Sequence, residues 1–180
     1  MPRGSKRDKI LNAASEIVLT QGTESLTLDA VAELAEVSKG GLLYHFSSKE
    51  ALITGLVQRM DRSHKQTVED ATLSDKKKTG KWIRAYINTT FKQMEESKEI
   101  SAGLLAAQAF DPELLKPIQE TQKNFQNHIH NDGLDEVQAE ILKLAADGLW
   151  LSEVFGLRGS NQELKKRVYN SLIKQSRKSD

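Results

Sequence analysis

Apolar residues along this chain recur every three to four positions rather than every second one. Ile10, Ala13, Ala14, Ile17 and Val18 share one helical face, as do Ile141, Leu144, Ala145, Gly148 and Leu151. Strict alternation of Val, Ile, Thr or Tyr with polar residues, the mark of half-buried strands, is missing throughout. The pattern predicts an all-α chain. A first helix covers about 6–21, and Gly22 follows it as the residue that turns the chain away. Thr27 caps a second helix over 28–35, with Asp29 favourably placed in its first turn. Ser38 caps a short third helix. Ser47-Ser48-Lys49-Glu50 then opens a long one over 48–72, with Ala51, Leu52, Leu56 and Met60 on one face. The polar stretch from Ser74 to Gly80 breaks the periodicity and predicts a loop at a domain boundary.

Further helices are expected over 81–97, 99–109, 113–130, 134–157 and 161–177, about nine in all. Asp111-Pro112-Glu113 signals a cap followed by proline in the first turn. Pro117 should kink the helix around it or delay its start.

The short third helix raises a question. Residues 35–46 read AEVSKGGLLYHF, and each glycine in a helix interior costs about 1 kcal/mol relative to alanine. Two helices of about eight residues joined by a three- or four-residue turn have the dimensions of a helix-turn-helix. In that motif the second helix lies in the major groove with its N-terminal residues on base edges. There Gly40 and Gly41 leave a bare backbone that can approach DNA closely, and helix-terminal N–H groups suit a phosphate. Tyr44, His45 and Lys49 follow at spacings that reach neighbouring phosphates.

Composition adds limits. Formal net charge is only +1, so overall charge gives no argument for nucleic acid, but its placement does. Arg3, Lys6, Arg7 and Lys9 face Asp8 alone, and residues 37–49 carry Lys39, His45 and Lys49 without an acid. With no cysteine, a disulfide scaffold, a thiolate zinc site and a cysteine nucleophile are excluded, which fits a reducing cytoplasm. No apolar run approaches the length of a membrane span, and the basic N-terminus leads into an amphipathic segment rather than a signal peptide.

The stretch from Ile10 to Leu56, including ILNAASEIVLTQG and LTLDAVAELAEVSKGGLLYHFSSKEAL, resembles the TetR/AcrR transcriptional regulators in order and without gaps. The resemblance implies a helix-turn-helix DNA-binding domain of three helices over 1–48, with the connecting helix 48–72. A larger C-terminal bundle over 73–180 is then expected to bind a ligand and dimerise. It also implies a bacterial, cytoplasmic repressor, lying on the nucleoid when DNA-bound, that reads a palindromic operator in double-stranded DNA as a homodimer. DNA contacts are expected from Thr27, Ser38, Lys39, Gly40, Gly41, Tyr44, His45 and Lys49. Lys49 sits in the first turn of a helix, where a cation opposes the dipole, and that misplacement suits a phosphate partner. This chain departs from the family in three places. Glu36 stands where the family usually has Gly, and positive φ there would store about 1 kcal/mol of strain. Gly41 replaces a frequent Thr or Ser, and Leu43 a frequent Tyr.

Elsewhere the plainer readings prevail. His128 and His130 are two apart and so lie on different helix faces, with Asp132 the lone acid close by, so no metal and no cofactor are expected. His64 has no evident catalytic partner, and no catalytic motif appears, which argues against an enzyme. Glu136, Glu140, Lys143 and Asp147 form one polar stripe, read as a solvated face with Lys143 and Asp147 paired. A small apolar or amphipathic ligand is expected among Trp82, Tyr86, Met94, Phe110 and Trp150, with Gln108 and His128 as polar anchors. The 134–157 segment is apolar on more than one face, as a helix shared between core and dimer interface requires. The dimer interface is expected on helices 134–157 and 161–177, packed as four helices across the axis, with Leu149, Val154, Leu164, Val168 and Leu172 as its contacts. The rival reading is a helix-turn-helix protein governed by a protein partner or by no ligand at all.

Overall fold

The computed structural model describes the backbone of residues 5–96, 98–157 and 161–177, and the side chains of these apart from 95, 96 and 98–101. Arg3 of the basic N-terminus and residue 97, the expected end of one helix, lie outside the described residues. Among the described residues there are nine α-helices and no strand. They are α1 (Lys6–Gln21), α2 (Leu28–Leu34), α3 (Lys39–His45), α4 (Lys49–Ser74), α5 (Lys81–Glu96), α6 (Lys98–Phe110), α7 (Lys116–His130), α8 (Glu136–Val154) and α9 (Gln162–Gln175).

Side-chain caps set most of the starts. Ser5 and Asp8 form a reciprocal capping box on α1, and Thr27, Ser38, Asp135 and Asn161 cap α2, α3, α8 and α9. Ser48 Oγ accepts from Ala51 N at 3.0 Å at the head of α4. Pro117 delays its helix, as expected: a 3-10 turn over Pro112–Leu115 precedes α7. The chain forms two compact units, Met1–Arg62 with Lys98–Gln119, and Ser63–Ser97 with Glu120–Asp180. They differ from the expected cut at residues 72 and 73, because α6 and the turn after it belong with the first unit.

The first unit closes around an apolar cluster. Ile10, Leu11 and Ile17 of α1 meet Leu26, Val31, Leu42, Phe46, Leu52 and Ile53, all buried. Each such side chain contributes about 1.5–3 kcal/mol when fully buried. Ala102, Ala106 and Ala107 of α6 join the cluster, and their small side chains let that helix pack closely. Gly55 of α4 answers a similar need. A Cβ there would stand 2.5 Å from the Phe46 ring and 3.2 Å from Leu11.

The second unit packs α5 on α8, with α7 and α9 completing a core of Ile83, Tyr86, Ile87, Phe125, Ile129, Leu142 and Ala146. Polar groups tie it together. Arg84 is buried, and its guanidinium donates to Asp75 Oδ2 at 2.7 Å and to the carbonyls of Thr79, Ser176 and Lys77 at 2.8, 2.9 and 2.9 Å. The loop expected to mark a boundary is therefore stapled inside this unit. Asp132 caps α5 from fifty residues downstream, its carboxylate accepting from Trp82 N at 2.7 Å and Ile83 N at 3.2 Å. Gly80 has φ +71°, donates its N–H to Asp132 O at 2.8 Å, and leaves no room for a Cβ beside Ser176 O.

The stripe on α8 needs correcting. Lys143 is buried, and Asp147 accepts both from its Nζ at 2.6 Å and from the Tyr86 hydroxyl at 2.5 Å. The expected Lys143–Asp147 pair is therefore present, and Glu136 is exposed as expected. The solvated reading fails at the Lys143–Asp147 end, which turns toward α5 because Tyr86 supplies a buried donor that a single-helix pattern cannot show.

Candidate DNA-binding surface

The turn between α2 and α3 closes with Glu36 N donating to Glu33 O and Val37 N to Ala32 O, both at 3.0 Å. Glu36 takes φ +54°, the positive-φ non-glycine residue among those described, as the expectation of strain required. Leu42 and Phe46 point into the core and fix the roll of α3. Its outer face then presents Lys39, Gly40, Leu43 and Tyr44. Tyr44 is 86% exposed, and a Cβ at Gly40 would meet nothing within 4 Å. The bare backbone expected at Gly40 is there.

The other expected contacts are placed as follows. Thr27 is exposed while its hydroxyl accepts from Ala30 N at 3.2 Å, so capping leaves its surface open. Ser38 Oγ accepts from Gly41 N at 3.1 Å. His45 is half-buried, its ring edge-on to Tyr44 with centroids 5.2 Å apart. Two of the cations are already engaged. Lys39 Nζ forms an ion pair with Asp29 at 2.8 Å, and Lys49 Nζ stands 5.9 Å from the centroid of the Phe110 ring. The acid-free run 37–49 is thus met by an acid from α2, which linear charge counting overlooks.

The residues expected around a ligand do not gather at one place. Gln108 and Phe110 are exposed on α6 of the first unit, and Phe110 serves Lys49. In the second unit Tyr86 is buried, Trp82 and Met94 pack on the same core, and His128 stacks on Trp82 with rings 4.1 Å apart and nearly parallel. Trp150 is half-buried on α8. Burial and the nearby Asp147 carboxylate push the Tyr86 phenol above its ordinary value, so it stays protonated and donates. His64 joins this centre, with Nδ1 2.8 Å from Gln93 Oε1 and its ring against Tyr86 and Phe125. Two open clefts of about 470 and 370 Å³ in this unit are lined elsewhere, the first around Phe91 and Tyr169, the second around His130 and Glu140.

Of the residues expected at an interface, Leu172 is buried within its own unit, while Leu149 and Val168 are half-buried against the same core. Val154 is half-buried and Leu164 is 39% exposed. An exposed apolar stripe runs through Val137, Ile141, Leu144 and Leu151 of α8 and on to Phe155, its C-cap.

Sequence reasoning missed Arg84, Asp132, Gly80 and Gly55. Arg84 and Asp132 look like ordinary surface charges until the fold closes around them. Gly80 sat in plain view as a loop glycine, and Gly55 as an unexplained glycine inside a helix. No group of three or more metal-ligating side chains occurs among the described residues, and none of their helices is long and apolar enough to cross a membrane.

Comparison with known proteins agrees with this geometry. Residues 10–56 match the family model for bacterial regulatory proteins of the tetR family, and residues 80–177 match the tetracyclin repressor-like C-terminal domain. The transcriptional activator FasR of Mycolicibacterium smegmatis is 41% identical over 59 residues, 33% of this chain and 27% of FasR. The regulator UidR of Escherichia coli is 43% identical over 51 residues, 28% of this chain and 26% of UidR. The matched stretch thus spans about a quarter of the length of these curated relatives. Solved folds extend further. The fatty acid degradation regulator FadR of Bacillus halodurans superimposes with TM-score 0.72 at 18% identity, covering 96% of this chain and 97% of that one. A TetR-like regulator from Rhodococcus sp. RHA1 gives 0.73 at 17% identity, covering 98% and 96%. With the two family models together spanning most of its length, the chain belongs to the TetR family, whose members are transcriptional regulators rather than enzymes.

Proposed function

We propose that this chain is a homodimeric, sequence-specific DNA-binding regulator, a repressor that a small apolar or amphipathic ligand releases from a palindromic operator. The observation that carries the DNA reading is the outer face of α3, where Gly40 and an 86%-exposed Tyr44 stand over a buried Leu42 and Phe46. One such short helix covers few base pairs, so specificity calls for two copies on inverted half-sites whose centres lie about one helical turn, ~34–36 Å, apart or somewhat more. The exposed apolar stripe on α8 supports self-association, since a soluble monomer has little use for five large apolar residues in a row.

Ligand sensing is supported by the centre of the second unit, where Tyr86, Gln122, Lys143 and Asp147 hold one another among aromatic rings. A ligand that competes for those partners changes the packing of α5 against α8. The long helix α4 runs from Lys49 beside the reading surface to Ser74 in the second unit, which makes it the lever for transmitting that change. By linkage, a ligand that weakens DNA binding is itself weakened by DNA to the same factor.

The test is selection of duplexes from a randomised pool by the full chain, combined with sedimentation. An inverted repeat retained by a dimer is expected. In that complex Lys49→Ala should weaken all sequences alike and lower the salt slope by about 1. A species that stays monomeric at micromolar concentration while binding tightly would overturn the dimer. A retained pool without sequence bias would overturn the specificity.

A further inference from the structure

We infer that Leu43 reads the methyl group of a thymine, so that α3 takes much of its base discrimination from an apolar contact rather than from bidentate hydrogen bonds. The inference rests on the DNA-binding reading above and names what that surface recognises. An exposed leucine is by itself ordinary. What sets Leu43 apart is its surroundings. The helix is KGGLLYH, and its outward positions are Lys39, Gly40, Leu43 and Tyr44. Arg, Lys, Asn and Gln are the side chains that pair with two atoms of one base edge, and of these the outward face carries Lys39 alone. That cation already has a partner, an exposed ion pair with Asp29 whose carboxylate oxygens lie 2.8 and 3.1 Å from Nζ, which a base edge would have to displace.

Leu43 is 39% exposed while Leu42, the adjacent residue, is fully buried and secures the helix. The fold therefore does not need a second leucine to hold α3. On a helix a side chain leans back toward the N-terminus, over the residues three and four before it. For Leu43 these are Gly40 and Lys39. At Gly40 nothing, the Leu43 side chain included, lies within 4 Å of where a Cβ would stand, so the backbone one turn before Leu43 is open. That same bareness lets the helix settle deep enough for Leu43 to meet the groove floor. The apolar feature that a base pair offers in the major groove is the thymine C5-methyl.

The test begins with the duplex that the full chain selects. Each thymine of a half-site is replaced in turn by deoxyuridine, which removes the methyl and leaves the pairing edge unchanged. One position is expected to lose about fourfold in affinity, the worth of one buried methyl. In Leu43→Ala the loss at that position should vanish and the other thymines should stay indifferent to the exchange, with the thermal melt unchanged. A second variant, Leu43→Asn, gives a gain of signal: reselection should move that position from thymine toward adenine, whose N6 and N7 suit an amide. The inference is overturned if no deoxyuridine substitution matters, or if the penalty survives unchanged in Leu43→Ala. Failure to select any sequence at all overturns the DNA reading itself, and is distinguishable because it appears before any methyl is removed.

Discussion

Ser15 is the buried polar residue described in the first unit, whereas the second buries Thr72, Arg84, Thr89, Thr90, Thr121, Asp132, Lys143 and Ser176. The contrast follows from what each core has to hold. Apolar packing is non-directional, and once its volume is filled it fixes a surface without depending on any one partner. That suits the platform behind α3, where Leu42 and Phe46 keep four outward residues in register. A polar core works by named partners. Arg84 serves four acceptors on the α4–α5 loop and after α9, and Tyr86 couples Gln122 to Asp147. Removing one partner strands the rest, and a competing ligand can take a partner's place.

The sharpest way to break this contrast is Arg84→Ala. It leaves Asp75 and three carbonyls without their donor, and should destabilise the second unit by about 3–5 kcal/mol. Trp82 and Trp150, both in that unit, supply its probe, while helical circular dichroism reports both units. The tryptophan midpoint in urea should fall further than the dichroism midpoint. Equal shifts in both signals would show that the two units unfold as one, and that the contrast in their cores has no thermodynamic counterpart.

Gly55→Ala attacks the other core. Helix propensity alone would favour alanine by up to about 1 kcal/mol. Its Cβ would stand 2.5 Å from the Phe46 ring, which is buried and has little room to yield, and overpacking of this kind costs about 1–3 kcal/mol. A net loss is expected in dichroism, with the tryptophan signal left in place. A gain in stability would mean that Phe46 can move, and that the platform under α3 is softer than its packing suggests.

Acid should distinguish the units as well. Burial would raise Asp75, but hydrogen bonds from Arg84 and the Lys77 amide together with the Arg84 charge outweigh it and hold the carboxyl below its ordinary value near 3.8. Its folded value lies below its unfolded one, so Asp75 adds stability above the unfolded value that is lost as pH falls through the folded value. Asp132 works in the opposite sense. Burial raises it, the Ile83 and Trp82 amides only partly offsetting this, so ionising it costs stability that returns as pH falls toward its raised value. Asp75→Asn should therefore lower stability at pH 7 and flatten the acid limb of the second unit's profile below about pH 4. An acid limb as steep as in the unaltered chain would assign it to other carboxylates.

Legibility in the sequence follows the same divide. Caps and periodicity gave the helices, because Thr27, Ser38, Asp111 and Pro117 act on neighbours within a turn. The buried Phe46 that closes α3 was equally readable beside its exposed neighbour Tyr44. The second unit was not. Asp132 reaches α5 from fifty residues away, and Asp147 turns inward because Tyr86, sixty-one residues earlier, donates to it. Lys39 failed to stand free for a similar reason, its partner Asp29 lying ten residues back on α2. Periodicity reports which side of a helix is apolar; it cannot report that a polar side has found a buried partner.

The smallest expected effect returns to the turn before α3. Glu36 holds φ +54°, a region where a side chain costs about 1 kcal/mol and glycine costs nothing. Glu36→Gly relieves that strain, but glycine also frees the unfolded chain, which returns roughly 0.4–1 kcal/mol of the gain. The net change should be a stabilisation of a few tenths of a kcal/mol, seen in dichroism and absent from the tryptophan signal. The turn's closing bonds, Glu36 N to Glu33 O and Val37 N to Ala32 O, use backbone alone and survive the substitution. Sequence preference on DNA should then stay as it was, because the roll of α3 is set by Leu42 and Phe46 rather than by the residue in the turn. A change in the selected half-site, with stability barely altered, would show that the carboxylate of Glu36 itself faces the groove and takes part in reading it.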